Sequence, residues 1–374
     1  MRVTYFSSST VPSRTANSVH VMKMAEALGN IGAAVNLIVR IRAEEEFKTG
    51  TTNYLHYGVD EVFSITQIPW EKRNSSSALL YALRGLQQLV RDGSELVLSR
   101  NLLGSWLSTL FGFETVHESH SPEHLEGTLK RLLFRTLMRR ERLRAVVVIS
   151  APLKELFLSS GLTGKKPIIV LPDGADAGRN PLPPRSASRQ PETFVAGYAG
   201  SLYVGRGISL IASLAQNCKW AKFVVAGGDH HTVERLRNRY RNIKNLEFLG
   251  HLPPAEVEGF LRNCSALLAP YQADTSDAAG HNTSAWMSPL KIFEYMASGR
   301  PMIASDLPVL GEVLSHEENA LLAPASDVEA WRAALNRLRI DVALGTSISH
   351  QAFDDLNQHY SWDQRAKRLA AAVF

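Results

Sequence analysis

RVTYFSSSTVPSRTANSVHVMKMAEALGNIGAAVNLIVR, residues 2–40, settles the class of fold. Two short apolar runs, RVTYFSS (2–8) and AAVNLIVR (33–40), flank the helical pattern VHVMKMAEALGNIG, in which Val19, Val21, Met22, Met24 and Leu28 are available for burial. Strand, helix and strand in close succession read as a βαβ unit, whose strands belong in a buried parallel sheet. The rhythm continues through ELVLSR (95–100), FETVHES (113–119), AVVVIS (145–150) and PIIVLP (167–172). PLPPRSASRQPE (181–192) interrupts it, being proline-rich, polar and without period, and reads as a linker. The rhythm then resumes in FVAGYAGS (194–201), KFVVAGG (222–228), LEFLG (246–250), ALLAPY (266–271), PMIAS (301–305) and ALLAPA (320–325). The expected fold is α/β: two facing doubly wound Rossmann-like domains, 1–180 and 193–354, joined by a hinge. In such folds ligands bind beyond the carboxyl ends of the strands.

The bulk numbers agree. At 374 residues the chain is too long for one ordinary core. Its 45% hydrophobic and 21% charged content describes a soluble globular protein. Cys218 and Cys264 give no disulfide framework and fit core positions in a reducing cytoplasm. The start, MRVTYFSSS, is not a secretory signal, and no apolar run approaches the ~20 residues of a membrane span, so a cytoplasmic location is expected. The net charge of +5 is unevenly spread: LKRLLFRTLMRRERLR, residues 129–144, holds seven of the 41 lysines and arginines and one acid. Its leucines and Phe134 alternate with the arginines at helical spacing. It reads either as a core helix with a solvated basic face or as a helix docking on anionic lipid at the inner face of a membrane. No aromatic stacking run accompanies the charge, so no nucleic-acid partner is expected.

Four segments carry candidate chemistry. In SPLKIFEYMASGRPMIAS (288–305), Ser288 is the expected helix cap, Pro289 the first helical residue, and Gly299 the left-handed stop before Pro301. Leu290, Phe293, Met296 and Ala297 form an apolar stripe, with Lys291, Glu294 and Ser298 as a polar edge. The Lys–Glu pair is either an exposed pair worth ~0.2–0.5 kcal/mol, or part of an anion site where the Leu290 and Lys291 amides, the helix dipole and the ammonium converge. GYAGSLYVGRGISL (197–210) lacks the G-x-G-x-x-G spacing and the following acid of a dinucleotide site, which disfavours a dehydrogenase. It offers close backbone approach and Arg206 as a fixed cation, or else a tight turn with a solvent-facing arginine. FETVHESHSPEH (113–124) puts Glu118, His120 and His124 past a strand end, without the cysteines or paired carboxylates that would complete a zinc site. The adjacent histidines of GGDHHTVE (227–234) fit a solvated helix start. No nucleophile elbow, Walker loop or metalloprotease motif is present.

Gly197-Tyr-Ala-Gly-Ser-Leu-Tyr, Gly205-Arg-Gly, Ser288-Pro-Leu-Lys-Ile-Phe-Glu-Tyr-Met-Ala-Ser-Gly and Tyr360-Ser-Trp resemble retaining glycosyltransferases of family 4, with the GT-B architecture. The likeness spreads over nearly all the chain and is strongest from 194 to 314. It implies that the carboxyl-terminal domain binds a sugar nucleotide and the amino-terminal domain receives a glycan, lipid-linked or other hydroxyl acceptor, in polysaccharide or glycoconjugate biosynthesis. By this resemblance Gly200, Ser201, Arg206, Leu290 and Lys291 bind the donor diphosphate, and Glu294 matches the second glutamate of E-x7-E, which holds ribose. Trp286, where the first glutamate should stand, and Ser288 fall in the donor-sugar region. His251 and Leu252 lie on the nucleobase edge, and His120 is the catalytic histidine that reaches the transferred sugar. A terminal helix within 355–374, from about Asp363, should cross back onto the first domain.

Ser201 stands where many relatives carry an arginine, and SSSTVPSRTANS lacks the family's paired glycines. Retention implies a front-face path through an oxocarbenium-like state. With a guanidinium, an ammonium and a helix amino terminus at the diphosphate and no Asp-x-Asp motif, neither a cofactor nor a metal is expected. Two rivals are a sugar-nucleotide epimerase of the same architecture, which needs no acceptor, and a non-catalytic two-domain ligand-binding protein.

Overall fold

The computed structural model describes residues 1–41, 52–70, 75–177, 193–276 and 280–373. The expected linker, 181–192, lies outside them. The chain divides into two compact units, Met1–Asp173 with Trp362–Phe374, and Gly174–Ser361.

In the first unit β1 (Arg2–Thr10), α1 (Ala16–Asn30) and β2 (Ala34–Ile41) form the opening βαβ. There follow α2 (Asn53–Tyr57), β3 (Ser64–Pro69), α3 (Ser75–Asp92), β4 (Leu96–Ser99), α4 (Leu102–Leu110) and β5 (Thr115–Ser119). The unit continues with α5 (Thr128–Leu137), β6 (Leu143–Val148), α6 (Ala151–Ser159) and β7 (Ile168–Val170). All pairings are parallel, in the order β3-β2-β1-β4-β5-β6-β7. The strand order reverses between β1 and β4, so this edge of the sheet is the topological switch point. One core cluster gathers Phe6, Ile38, Tyr81, Leu89 and Val97, each at most 1% exposed.

The second unit repeats the scheme with β8 (Phe194–Ala199), α7 (Ile208–Asn217), β9 (Ala221–Ala226), α8 (His230–Arg239) and β10 (Leu246–Gly250). Then come α9 (Pro254–Arg262), β11 (Ala266–Ala269), α10 (Leu290–Ala297), β12 (Met302–Ser305), β13 (Leu321–Ala323), α11 (Val328–Ile340) and α12 (Val342–Asp355). The parallel order is β10-β9-β8-β11-β12-β13, with the switch between β8 and β11. Separate clusters cover the sheet: Phe223, Leu214, Trp331 and Leu335 in one, Phe293, Tyr295, Met296 and Met302 in the other. Both cysteines are buried in them. Finally α13 (Trp362–Val373) packs on α1 in the first unit.

Each apolar run named from the sequence overlaps a strand, but β3 and α3 were not foreseen. The basic segment 129–144 is not one helix: α5 ends at Leu137, and Leu143 already opens β6. The reason is visible in the burial. Phe134 and Leu137 face the core, and 143–148 fills a position between β5 and β7 that only a strand can occupy. The terminal helix begins at Trp362, since residues 356–360 extend α12 as a π-turn within the second unit.

Candidate functional site

The switch point of the second unit collects two cations. The loop after β8 passes Gly200, whose φ of 144° suits glycine and where a Cβ would stand 2.8 Å from Lys291 Cε. At Gly205, φ 81°, a Cβ would be 2.0 Å from the Asp274 carbonyl, so glycine alone lets the loop fold against 272–276 and aim Arg206 inward. Arg206 Nη2 donates to the Ser276 carbonyl at 3.2 Å, its guanidinium lies 5.1 Å from the Tyr271 ring, and its buried Nε has no partner among the described residues. The Ser201 carbonyl accepts from the Tyr198 hydroxyl at 2.6 Å, fixing that ring.

Lys291 is not on an exposed polar edge. It is 7% exposed, and Ser298 is 1% exposed. The Lys291 ammonium lies 3.5 Å from the centroid of Tyr198 and 5.0 Å from that of Tyr271. Burial, reinforced by Arg206, holds its pKa well below the ordinary lysine value, with Glu294 opposing. Aromatic faces attract a cation but do not neutralise it. Among the described residues neither Arg206 nor Lys291 makes an ion pair.

The start of α10 also differs from expectation. Pro289, at φ −80° and ψ 119°, takes the cap position, so the helix begins at Leu290 and Ser288 stands one residue outside it. No side chain caps this end, and among the described residues the Leu290 and Lys291 amides donate to nothing. They are the free donors of a helix amino terminus. The Tyr295 hydroxyl accepts from Ala199 N–H at 2.9 Å and donates to the Leu268 carbonyl at 3.2 Å, pinning α10 where β8 and β11 diverge. Gly299, at φ 64°, ends the helix as expected. Glu294 is half-buried on α10, and its charge acts on both Lys291 and Tyr271.

The remaining candidates of this unit sit on loops. Trp286 and Ser288 are half-buried just before α10, in a turn closed by Trp286 N–H to the Thr283 carbonyl at 3.1 Å. His251 and Leu252 follow β10, the outermost strand, where Gly227 N–H donates to the Gly250 carbonyl at 2.6 Å.

His120 belongs to the first unit. It follows β5, and its Nε2 lies 3.0 Å from Glu118 Oε1. His124 does not join it: its ring packs on Phe134 and Phe157. The network around its partner Glu118 draws instead on distant segments: His20 of α1, whose ring meets His120 edge-on at 4.8 Å, Asp173, which contacts His20, and Arg365 of α13, which contacts Glu118. Ligand atoms of His20, His120 and Asp173 converge within 4.8 Å. However, both His20 nitrogens already face carboxylates at 2.9 Å, and Arg365 is adjacent, so the set is a hydrogen-bond network poorly suited to a cation. Nothing in local spacing identified His20, Asp173, Arg365, Tyr198 or Tyr271. Their only signal was position at strand ends and on a core helix.

Residues 193–341 match the family model described as glycosyl transferases group 1. Among curated proteins, a glycogen synthase of Mycobacterium tuberculosis is 23% identical over 274 residues, covering 68% of this chain and 61% of the synthase. Among solved structures, sucrose-phosphate synthase from Thermosynechococcus elongatus superimposes with a TM-score of 0.75 at 16% identity, over 99% of this chain and 98% of the other. Anabaena Alr3699/HepE in complex with UDP-glucose gives 0.71 at 16% identity, over 99% and 98%. The fold is therefore that of GT-B structures: two Rossmann-like domains with parallel sheets.

Proposed function

We propose that the chain is a retaining glycosyltransferase of family 4, moving a sugar from a nucleoside-diphosphate sugar to a hydroxyl acceptor of a growing glycan or lipid-linked glycoconjugate. The observation that carries this reading is the buried Lys291 ammonium, which with Arg206 and the free amides of α10 forms a cationic cluster in which neither cation makes an ion pair among the described residues. A diphosphate supplies the missing charge. The match of 193–341 to glycosyl transferases group 1 and the UDP-glucose bound by the structural relative HepE support the same donor class.

In this reading Gly200 and Ser201 pass the backbone close to the diphosphate, and Glu294 accepts from ribose hydroxyls. Trp286 and Ser288 lie toward the sugar, His251 and Leu252 toward the base, and His120 contacts the transferred sugar. The bond from the anomeric carbon to the diphosphate breaks while the acceptor oxygen bonds to the same face, and the acceptor's proton passes to the leaving phosphate oxygen. Fixed donors stabilise the charge developing on that phosphate without reorganising, so no metal is required. The exposed Leu125, Leu129 and Leu132, beside Lys130, Arg131 and Arg135, would dock the protein on anionic lipid at the inner membrane face. Among the described residues no helix is long and apolar enough to cross a membrane.

The test is a thermal-shift screen of nucleoside diphosphates and sugar nucleotides, followed by NMR of the product's anomeric configuration. A ligand at 100 Kd should add ~2.7 kcal/mol. Absence of any shift, or an inverted product, refutes the proposal.

A further inference from the structure

Glu118, next to last in β5, is 2% exposed, yet polar groups reach it from β1, α1, α13 and the loop after β5. The Tyr5 hydroxyl donates to Oε2 at 2.9 Å, and Arg365 Nη2 donates to Oε1 at 2.7 Å. His120 Nε2 lies 3.0 Å from Oε1. His20 Nε2 is 2.9 Å from the same oxygen, an ion-pair contact off the hydrogen-bond axis, while its Nδ1 is 2.9 Å from Asp173 Oδ1. Arg365 is tied down in turn by the Pro172 carbonyl at 2.9 Å from its Nε. Trp362 covers His20 edge-on, with ring centroids 5.0 Å apart.

Burial raises the Glu118 pKa, but Arg365 and His20 overcome it and hold the carboxyl well below the usual carboxylate range. An ionised carboxylate can only accept. A bare ring nitrogen at 3 Å would set its lone pair against that charge, so His120 must present Nε2–H to Glu118. Burial, together with Arg100, lowers the His120 pKa to about 4 against the opposing pull of Glu118 and Asp173, so the ring is neutral near pH 7. A neutral ring protonated on Nε2 carries its lone pair on Nδ1, and among the described residues that atom makes no hydrogen bond. His120 is the one member of the network that is noticeably open, its side chain 20% exposed.

We infer that Glu118, held by Arg365 and by the His20–Asp173 pair, is a positioning residue that locks His120 as the Nε2–H tautomer and so makes its Nδ1 an acceptor for a ligand hydroxyl. The identity of the ligand rests on the functional reading above; the tautomer does not. The chemical consequence is selectivity. A neutral sugar bearing a free hydroxyl satisfies Nδ1, a deoxy sugar leaves it unpaired, and the carboxylate of a uronic acid meets a lone pair. The charged and titratable groups acting on this ring are His20 of α1, Arg100 after β4, Glu118 of β5 and Asp173 after β7, while Tyr5 of β1 and Arg365 of α13 act on Glu118 behind it.

The test is a long-range proton–nitrogen NMR spectrum of the full chain labelled at histidine, with His120→Gln used to assign the ring. Between pH 5.5 and 8 His120 should show one pattern, protonated at Nε2 alone. Glu118→Gln should abolish the single pattern, because an amide can donate to Nε2 as well as accept from it. Should that variant not fold, Asp173→Asn serves: it leaves Glu118 and its contact with His120 in place, so the His120 ring should stay protonated at Nε2 alone, and a mixed pattern would place the lock on Asp173 and overturn the inference. A wild-type His120 protonated at Nδ1, or one that titrates between pH 5.5 and 8, overturns the inference. So does a Glu118→Gln ring that keeps the pure Nε2–H form. None of these readings requires turnover, so failure here is separable from failure to transfer sugar.

Discussion

The polar clusters of the two units are built on opposite plans. In the first unit Glu118, Asp173, Arg365 and His20 are buried and each lies within 2.9 Å of an acidic or basic partner. In the second, Arg206 and Lys291 share aromatic neighbours and have no acid in contact. A buried ion network that satisfies itself fixes a geometry and resists change. A buried cation set against rings and free amides, with no ion-pair partner among the described residues, stores an unmet demand for an anion. The first plan suits holding a side chain in one orientation, the second suits binding.

The largest effect should come from breaking the satisfied network. Glu118→Ala strips the partner from buried Arg365 and from three further donors, and breaking a buried pair typically costs about 3–5 kcal/mol. Urea unfolding should show at least that loss. A change within ~0.5 kcal/mol, as for an ordinary surface substitution, would mean the network is not a unit. Lys291→Met should do the reverse, leaving unfolding unchanged or stabilised because a desolvated charge disappears.

Next in size is ligand affinity. Hydrogen bonds to charged partners are worth roughly 1.5–3 kcal/mol, so Lys291→Met and Arg206→Ala should each weaken nucleoside diphosphate binding tenfold or more while sparing the nucleoside. Equal losses for both ligands, by calorimetry, would remove these residues from a phosphate site.

A smaller effect follows from the lowered Lys291 pKa. In the free protein the ammonium gives up its proton at lower pH than an ordinary lysine would, because burial and Arg206 disfavour its charge. A bound diphosphate restores the charge and raises the pKa. Affinity should therefore fall as pH rises through the free-protein pKa of Lys291, and binding should take up protons between the free and bound values. The diphosphate's own titration lies near pH 6, so calorimetry above pH 7 in buffers of different ionisation heat isolates the lysine. Identical uptake in Lys291→Met would assign the protons elsewhere.

The smallest expected effect is none. If fixed cations and amides take the place of a divalent ion, as proposed, transfer should persist in excess EDTA once donor and acceptor are supplied. Loss of turnover restored by Mg²⁺ would show that the two cations of the second unit do not meet the anion alone.

Much of this could be read along the chain. Alternating apolar runs and helices specified two parallel α/β sheets because a strand buried on both faces must be apolar throughout. Gly299 and Pro301 marked the end of α10 for reasons of backbone geometry alone. Segments with weaker patterning were missed: β3 (SITQIP) is largely half-exposed and mixed in composition, so its pairing with β2 decides it rather than its own sequence.

The candidate site divides along the same line. Sequence determined that Lys291, Arg206 and His120 stand at strand ends and helix starts, because local φ/ψ preference and hydrophobic period act over a few residues. It did not determine that Lys291 is buried over Tyr198 and Tyr271, nor that Ser288 yields its capping place to Pro289. Nor could it show that Glu118 gathers Tyr5, His20 and Arg365 from three other elements, up to 247 positions away, beside its near neighbour His120. Burial and charge pairing are properties of neighbours in space, and in a doubly wound sheet those neighbours are set by strand order, which places β1 beside β4 and β8 beside β11.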